Sequence, residues 1–307
     1  MSEPVSRFPV GRRDTGKRLD RFLHERIPGL SRTRIQRVIR ARVRLSWGAT
    51  PRPATPVRAG EEVTIVPRPR DEVVRDLRLD ILARGDGWLA VDKPPRIPVH
   101  PVHDTVDNSV IRLLRRQLDD TQLRLVHRLD AETSGVLLVA RTVEASRRLA
   151  RAFMERTVGK HYLALVRGNP VADGGTIDLP IGPARGSRVW IRLEAGHGKP
   201  ARTDWRVARR FGERTLVRLS PATGRRHQLR VHMTALGHPI LGDILYGRTD
   251  DDYLRMVRGE GDARASGGPR RQLLHCSRLE FEDPGSGARC AVSAALPADF
   301  VEQLAAR

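Results

Sequence analysis

Cysteine is nearly absent from this 307-residue chain. Cys276 and Cys290 are the only two, and no CxxC spacing occurs, which excludes a disulfide scaffold and a cysteine-built zinc site. No apolar run approaches the about 18 residues that a membrane span needs, and the start carries no apolar signal region. A soluble protein of the reducing cytoplasm is the expectation. Lysine is scarce as well: of 56 basic residues only Lys17, Lys93, Lys160 and Lys199 are lysines. With 36 acidic residues the formal net charge is +20, carried almost entirely by arginine. Arginine's planar fork suits phosphates and base edges better than an ammonium does, and so large an excess of one sign points to a nucleic-acid partner.

A chain of this length is expected to divide in two, because single cores rarely grow beyond about 250 residues. Residues 1–15 are polar and aperiodic and read as a mobile tail. From Lys17 the pattern changes. Leu19, Phe22, Leu23 and Ile27 recur at helical spacing, Pro28-Gly29 breaks the run, and Ser31 caps a second helix with apolar Ile35, Val38 and Ile39. Arg34, Arg37 and Arg40 recur every three residues on the other side of that helix, with Arg32, Arg42 and Arg44 around them. Charge runs are ordinarily solvated surface, but here all charges share one sign, so Arg32, Arg34, Arg37 and Arg40 are candidate RNA contacts. Residues 62–66 alternate like a strand, and residues 16–66 together read as a small α/β module.

Pro67-Arg68-Pro69-Arg70 opens a linker over 67–78. In the larger domain, 79–307, strand-like segments fall at 79–82, 88–91, 135–140, 162–166, 215–219 and 279–281. Helical patterns fall at 144–156 and 227–236, the latter stopped by Gly237. This order predicts an α+β fold with a mixed or antiparallel sheet, not βαβ repeats. Residues 248–271, rich in Asp, Gly and Arg, read as a surface insertion.

Four stretches of the larger domain are too particular to be punctuation. HRLDAETSG at 127–135 sets one carboxylate, Asp130, just after His127 and Arg128, where nearby cations keep it ionised. The others are VDKPP at 91–95 with VHP at 99–101, KHYLALVRG at 160–168, and TGRRHQLRVHMTALGHPILGDILYG at 223–247. On local chemistry alone Asp130 reads first as a surface ion-pair partner and Tyr162 as a plain strand aromatic, and Arg128 could simply hold a phosphate. His127, His227, His232 and His238 invite a metal, yet His227 and His232 are five apart and no cysteine pair supports them, so no metal is expected. Lys93 fits a Schiff-base amine, but Pro94-Pro95 favour a rigid loop at a site entrance.

Together these stretches resemble the RluA-type pseudouridine synthase family over most of residues 79–298, with HRLDxxTSG followed in order by TGRxHQ(I/L)RVH. Residues 16–66 resemble the small RNA-binding domain of the S-four (alpha-L) type, shared with a small-subunit ribosomal protein. That likeness rests on Arg-Leu-Asp at 18–20, Leu-Ser-Arg-Thr-Arg-Ile at 30–35 and Val-Arg-Ala-Gly-Glu-Glu-Val-Thr-Ile at 57–65. Two places depart from the patterns: Trp47-Gly48 replaces the usual Asn-Gly turn, and Pro95-Arg96 replaces the small Ala-Gly usual after Lys-Pro.

The resemblance implies an isomerase that detaches a uridine base in RNA from its ribose, turns it and reattaches it through carbon, without cofactor or metal. It implies Asp130 as the essential aspartate, attacking a carbon or removing a sugar proton, and Arg230 as its pairing partner. Tyr162 is implied to stack on the target base, Leu229 to line the pocket, and Arg128 to fill the gap left by the extruded base. By analogy the small module leans the target toward large-subunit ribosomal RNA over transfer RNA. Nothing calls for an oligomer, so a monomer is expected. Competing readings are a catalytically silent RNA-binding or ribosome-assembly factor and a base-excising glycosidase. The joint presence of Asp130, Tyr162 and Arg230 disfavours the first, and unchanged RNA mass would separate isomerisation from the second.

Overall fold

The protein is described by a computed structural model covering residues 6–27, 30–66, 73–102, 105–257, 260 and 268–306. Its chain divides into two compact units, Met1–Val73 and Val74–Arg307.

The first unit contains β1 (Ser6–Pro9), α1 (Leu19–Arg26), α2 (Arg32–Arg42), β2 (Val43–Leu45) and β3 (Glu62–Ile65). Leu19, Phe22 and Leu23 of α1 and Ile35 and Ile39 of α2, spaced three or four apart, bury against Val43, Leu45, Val63 and Ile65, as an amphipathic helix pair on a small sheet must. Ser31 caps α2, its hydroxyl accepting from the Arg34 amide at 3.4 Å. Buried Asp20 ties the helices together by accepting from Gln36 at 2.9 Å and from Arg18 and Arg32. The expected tail over 1–15 needs correction. Ser6–Pro9 pair antiparallel with β3 and Val10 is buried with the core, because a four-residue strand bonded along one edge offers too little alternation to read. Residues 1–5 of that tail and 67–72 of the expected linker lie outside the described residues.

The second unit begins with β4 (Ile81–Gly85) and β5 (Trp88–Lys93), followed by α3 (Val110–Leu118), β6 (Arg124–Leu125), β7 (Ser134–Ala140), α4 (Val143–Glu155) and β8 (Gly159–Arg167). After it come β9 (Gly174–Asp178), β10 (Ile181–Pro183), β11 (Leu193–Ala195), β12 (Arg202–Phe211) and β13 (Arg214–Pro221). The last elements are α5 (Gln228–Ala235), α6 (Asp250–Val257), β14 (Leu274–Glu282), β15 (Arg289–Ser293) and α7 (Ala298–Ala305). The main sheet runs β4-β5-β7-β14-β8-β13-β12-β9, with β15 on β14 and β6 on β7. Only β7 and β14 pair in parallel among the described strands, so the sheet is mixed and the fold α+β, as the order of elements predicted.

β7 sits inside this sheet and is buried along its whole length, which is why SGVLLVA reads as an unbroken run without alternation. Its Gly135 has φ +105°, and a Cβ there would lie 2.2 Å from the Cys276 carbonyl oxygen. The glycine of HRLDAETSG is therefore what lets β14 approach. β12 escapes prediction because arginine dominates it, yet Thr203 and Trp205 are buried between exposed Arg202, Asp204 and Arg206, the period-2 pattern of a half-buried strand.

The stretch 248–271 is not simply a surface insertion. Asp250–Val257 forms α6, whose Tyr253 and Leu254 pack on the apolar cluster that includes Leu245 and Tyr246. Arg271 is fully buried, its guanidinium holding Asp299 at 2.6 and 2.9 Å. Residues 258–259 and 261–267 of the stretch lie outside the described residues. Among the described residues no helix is long and apolar enough to cross a membrane.

Candidate active site

Asp130 lies on the loop between β6 and β7, and three separate contacts hold that loop. Lys93, at the end of β5, is fully buried and donates from Nζ to the carbonyls of Ala131, Thr133 and Pro94, each at 2.8 Å. Gln272 donates to the Thr133 hydroxyl at 2.9 Å, and the Thr133 amide closes a turn onto the Asp130 carbonyl at 3.1 Å. An amine so engaged and so buried cannot meet a substrate, so Lys93 serves neither as a Schiff-base amine nor as part of an entrance. Burial and the charge of Arg271 push its pKa down to about 7, against the pull of Asp130 and Glu132. The three carbonyls take all three N–H bonds of the ammonium form. Just after it, Arg96 has φ +65°, the left-handed conformation glycine adopts without strain. The departure at Pro95-Arg96 thus sets an arginine where the backbone favours glycine.

Arg230, on α5, meets the carboxylate. Its Nη1 donates to Asp130 at 3.0 Å, while Nε and Nη2 donate to Asp243 at 2.6 and 2.9 Å. Asp243 is fully enclosed and also accepts from the amides of Leu245 and Tyr246 at 2.9 and 3.0 Å. The Tyr246 ring lies under the guanidinium at 4.9 Å, and its hydroxyl is 2.8 Å from His227 Nδ1. α5 is itself positioned by Gln228, whose amide oxygen accepts from the Thr223 hydroxyl and the Arg225 amide at 2.7 and 3.0 Å. This pins the Thr-Gly-Arg-Arg-His turn.

Burial alone would raise the Asp130 carboxyl. The charge of protonated His227, the charge and hydrogen bond of Arg230, and the charge of Arg128 outweigh it and hold the pKa below the ordinary carboxylate range. Burial pushes His227 itself down to about 4, so at neutral pH His227 is uncharged and the permanent cation of Arg230 does the stabilising. Tyr162 is pushed far the other way, chiefly by burial, and keeps its proton.

All five residues expected at the site share one cavity of about 470 Å³: Arg128, Asp130, Tyr162, Leu229 and Arg230 line it together. Arg128 is exposed, Leu229 buried and Tyr162 half-buried, the last two packing in one apolar cluster. The volume suits one nucleoside-sized group. The arrangement can hold a flat ring against an aromatic and an apolar wall while an ionised, oriented carboxylate faces it.

The four expected RNA-contact arginines lie on α2 of the first unit. Arg34 and Arg40 are exposed, Arg32 is half engaged by Asp20 at 3.2 Å, and the side chain of Arg37 lies outside the described residues. The histidines that invited a metal are dispersed in separate contacts. His127 accepts from the Leu138 amide at 2.8 Å, His232 sits between Thr203 and the Leu179 carbonyl, and His238 meets the Arg167 carbonyl. Among the described residues no three His, Cys, Asp or Glu side chains are placed to hold a metal ion.

Sequence reasoning missed Asp243 and Tyr246 as parts of this site, and it set Lys93 at the entrance instead of behind the Asp130 loop. A signal existed for Lys93: in a chain that uses arginine almost everywhere, a retained lysine marks a place where a compact three-donor cation is needed and a planar fork does not fit. For Asp243 the signal was Gly242, whose φ is +76° and whose Cβ would fall 1.8 Å from the Arg271 carbonyl oxygen, so the Gly-Asp pair marks a tightly fitted turn.

Comparison with known proteins places this geometry. Residues 87–235 match the family described as RNA pseudouridylate synthase. The ribosomal large subunit pseudouridine synthase D of Vibrio vulnificus is 36% identical over 302 residues, covering 94% of this chain and 90% of that protein. The protein of the same name from Escherichia coli O6:H1 is 34% identical over 303 residues, covering 95% and 91%. Among solved structures, human RNA pseudouridylate synthase domain containing 4 superposes with a TM-score of 0.57 at 28% identity, over 73% of this chain and 91% of that one. Human RNA pseudouridylate synthase domain containing 1 does so with 0.56 at 31% identity, over 74% and 86%.

Proposed function

Because the chain belongs to the RNA pseudouridylate synthase family, we propose that it isomerises uridine in large-subunit ribosomal RNA with Asp130 as the catalytic group. The enzyme class follows from the family. The target follows the names of the relatives, ribosomal large subunit pseudouridine synthases aligned over nine-tenths of this chain. The observation that carries the site is the 3.0 Å ion pair from Arg230 to Asp130 inside the cavity that Tyr162, Leu229 and Arg128 also line.

In this reading the target base leaves the RNA stack to reach the cavity. Tyr162 stacks on it, Leu229 walls it, and Arg128 at the exposed edge takes the vacated place in the RNA. The N1–C1′ bond breaks, the base turns, C5 bonds to C1′, and the C5 proton passes to solvent while N1 regains one. The ionised carboxylate of Asp130, aimed by Arg230, supplies the nucleophile or base this needs. The first unit, with Arg32, Arg34, Arg37 and Arg40 along α2, holds RNA through its phosphates as an S-four type domain.

The test is tritium release from RNA labelled at uridine C5, taken from cells lacking the gene, with ribosomal and transfer RNA assayed apart. Wild type should release tritium from large-subunit ribosomal RNA, and Asp130→Ala should not, while binding that RNA as tightly. Release from transfer RNA alone would overturn the target. Wild-type turnover by Asp130→Ala would overturn the catalytic assignment.

A further inference from the structure

We propose that Trp190 is a stacking platform for a base of the RNA next to the uridine being modified; this rests on the pseudouridine synthase reading above. Trp190 lies between β10 and β11 and is 85% exposed. Large aromatics are ordinarily buried for most of their surface, so an open indole is an unused binding face.

The loop that displays it is fixed, not trailing. Val189 on one side is buried, and Ile191 on the other packs into the same apolar cluster as Tyr246. Asp250 at the start of α6 accepts from the Ser187 hydroxyl at 2.9 Å and from the Arg188 amide at 2.7 Å, and pairs with Arg192 at 2.9 Å. Arg188 also pairs with Asp251. Both neighbours are thus anchored while the indole between them stays in solvent.

Its position relative to the active site comes from Arg226, which lines the Asp130 cavity and donates to the Ile191 carbonyl at 2.9 Å. The Trp190 loop is therefore tied directly to the rim of that cavity. Arg225, also on the rim, donates to the Pro200 carbonyl at 3.0 Å. Carbonyl partners leave the positive charge of both arginines in place, and Arg185 is exposed on the same loop as Trp190. An aromatic face beside uncompensated arginines matches nucleic acid, whose bases stack and whose phosphates pair; an apolar protein surface has no use for those charges.

The experiment compares wild type with Trp190→Phe, Trp190→Leu and Trp190→Ala as full chains on protein-free large-subunit ribosomal RNA from cells lacking the gene. Stacking on one base predicts that Leu and Ala variants raise KM by about 5- to 150-fold with little change in kcat, while Phe stays near wild type. Tryptophan fluorescence gives a second readout: the quenching that RNA causes in wild type should largely vanish in Trp190→Phe. A leucine variant that matches wild type, or equal quenching with and without Trp190, overturns the proposal. Absence of tritium release from wild type while the Trp190-dependent quenching persists overturns the enzymatic reading and supports the stacking site.

Discussion

Asp243 grips Arg230 from the side, accepting from its Nε at 2.6 Å and its Nη2 at 2.9 Å, and so leaves Nη1 free to reach Asp130. One guanidinium is shared by two carboxylates with different duties. Asp243 is enclosed and fully bonded; Asp130 faces the cavity. Replacing Asp243 by Asn removes a charge from beneath a buried cation, which typically costs about 3–5 kcal/mol. Urea unfolding should report a loss of that order for Asp243→Asn, and kcat should fall as Arg230 loses its aim. A variant as stable as wild type would show that the grip is dispensable.

Arg230 also sets the pH range. With its cation gone, burial acts on Asp130 against only the charges of Arg128 and protonated His227, and its pKa rises. In the proposed mechanism activity depends on the ionised form, so the acid limb of the rate profile moves to higher pH. The expected displacement for Arg230→Gln is about 1–3 units, whereas Arg230→Lys, which keeps a cation, should stay closer to wild type. Profiles of kcat/KM for the three proteins decide it, and a limb that does not move in Arg230→Gln would remove Arg230 from this role.

Lys93 holds the Asp130 loop through the carbonyls of Ala131 and Thr133 on either side of Glu132. Lys93→Met keeps the alkyl volume and removes every donor, leaving buried carbonyls without partners at about 1–3 kcal/mol each. Unfolding free energy should drop by several kcal/mol, and residual folded protein should bind RNA normally yet turn over slowly. If turnover per folded molecule were unchanged, the loop would not depend on Lys93 for its shape.

Much of this site is legible in the sequence because its residues occur in strings whose spacing is itself particular. Asp130, Tyr162, Leu229 and Arg230 come from three such strings and meet at one cavity. What could not be read was the support behind them. Asp243 is 13 residues from Arg230 and Lys93 is 40 from Thr133, and no periodicity encodes which distant side chain a buried group will meet. The fold shows the same division. β7 and the helix pair of the first unit announce themselves by apolar pattern, while β1 is too short and β12 too rich in arginine for the pattern to show.

The arginines of α2 divide by partner. Arg34 and Arg40 are exposed, whereas Arg32 bonds the buried carboxylate of Asp20. Removing one cation that neutralises an RNA phosphate should flatten the slope of log affinity against log salt by about 0.7–0.9. The double variant Arg34→Ala/Arg40→Ala should therefore reduce that slope by about 1.4–1.8 with kcat unchanged, and Arg32→Ala should in addition lower stability. Filter binding over a salt series measures it; an unaltered slope would mean that these two side chains do not meet RNA phosphate.

His127 gives the protein an acid weakness that is independent of catalysis. Its ring stacks on Phe153 at 4.5 Å, and its Nε2 accepts from the Leu138 amide at 2.8 Å, which only the neutral form can do. Burial, with help from Lys160, pushes its pKa down to about 3. An unfolded imidazole takes its proton near the ordinary value of about 6.5. Between those two values the unfolded chain binds more protons, so stability falls as pH falls. From pH 7 to pH 5 this one group should cost about 2 kcal/mol. In His127→Gln an amide oxygen can still accept from the Leu138 amide and nothing titrates, so urea unfolding at both pH values should show wild type losing about 2 kcal/mol more than the variant. Equal losses would mean that His127 takes up a proton as readily in the folded protein as in the unfolded chain, which is incompatible with its hydrogen bond from Leu138.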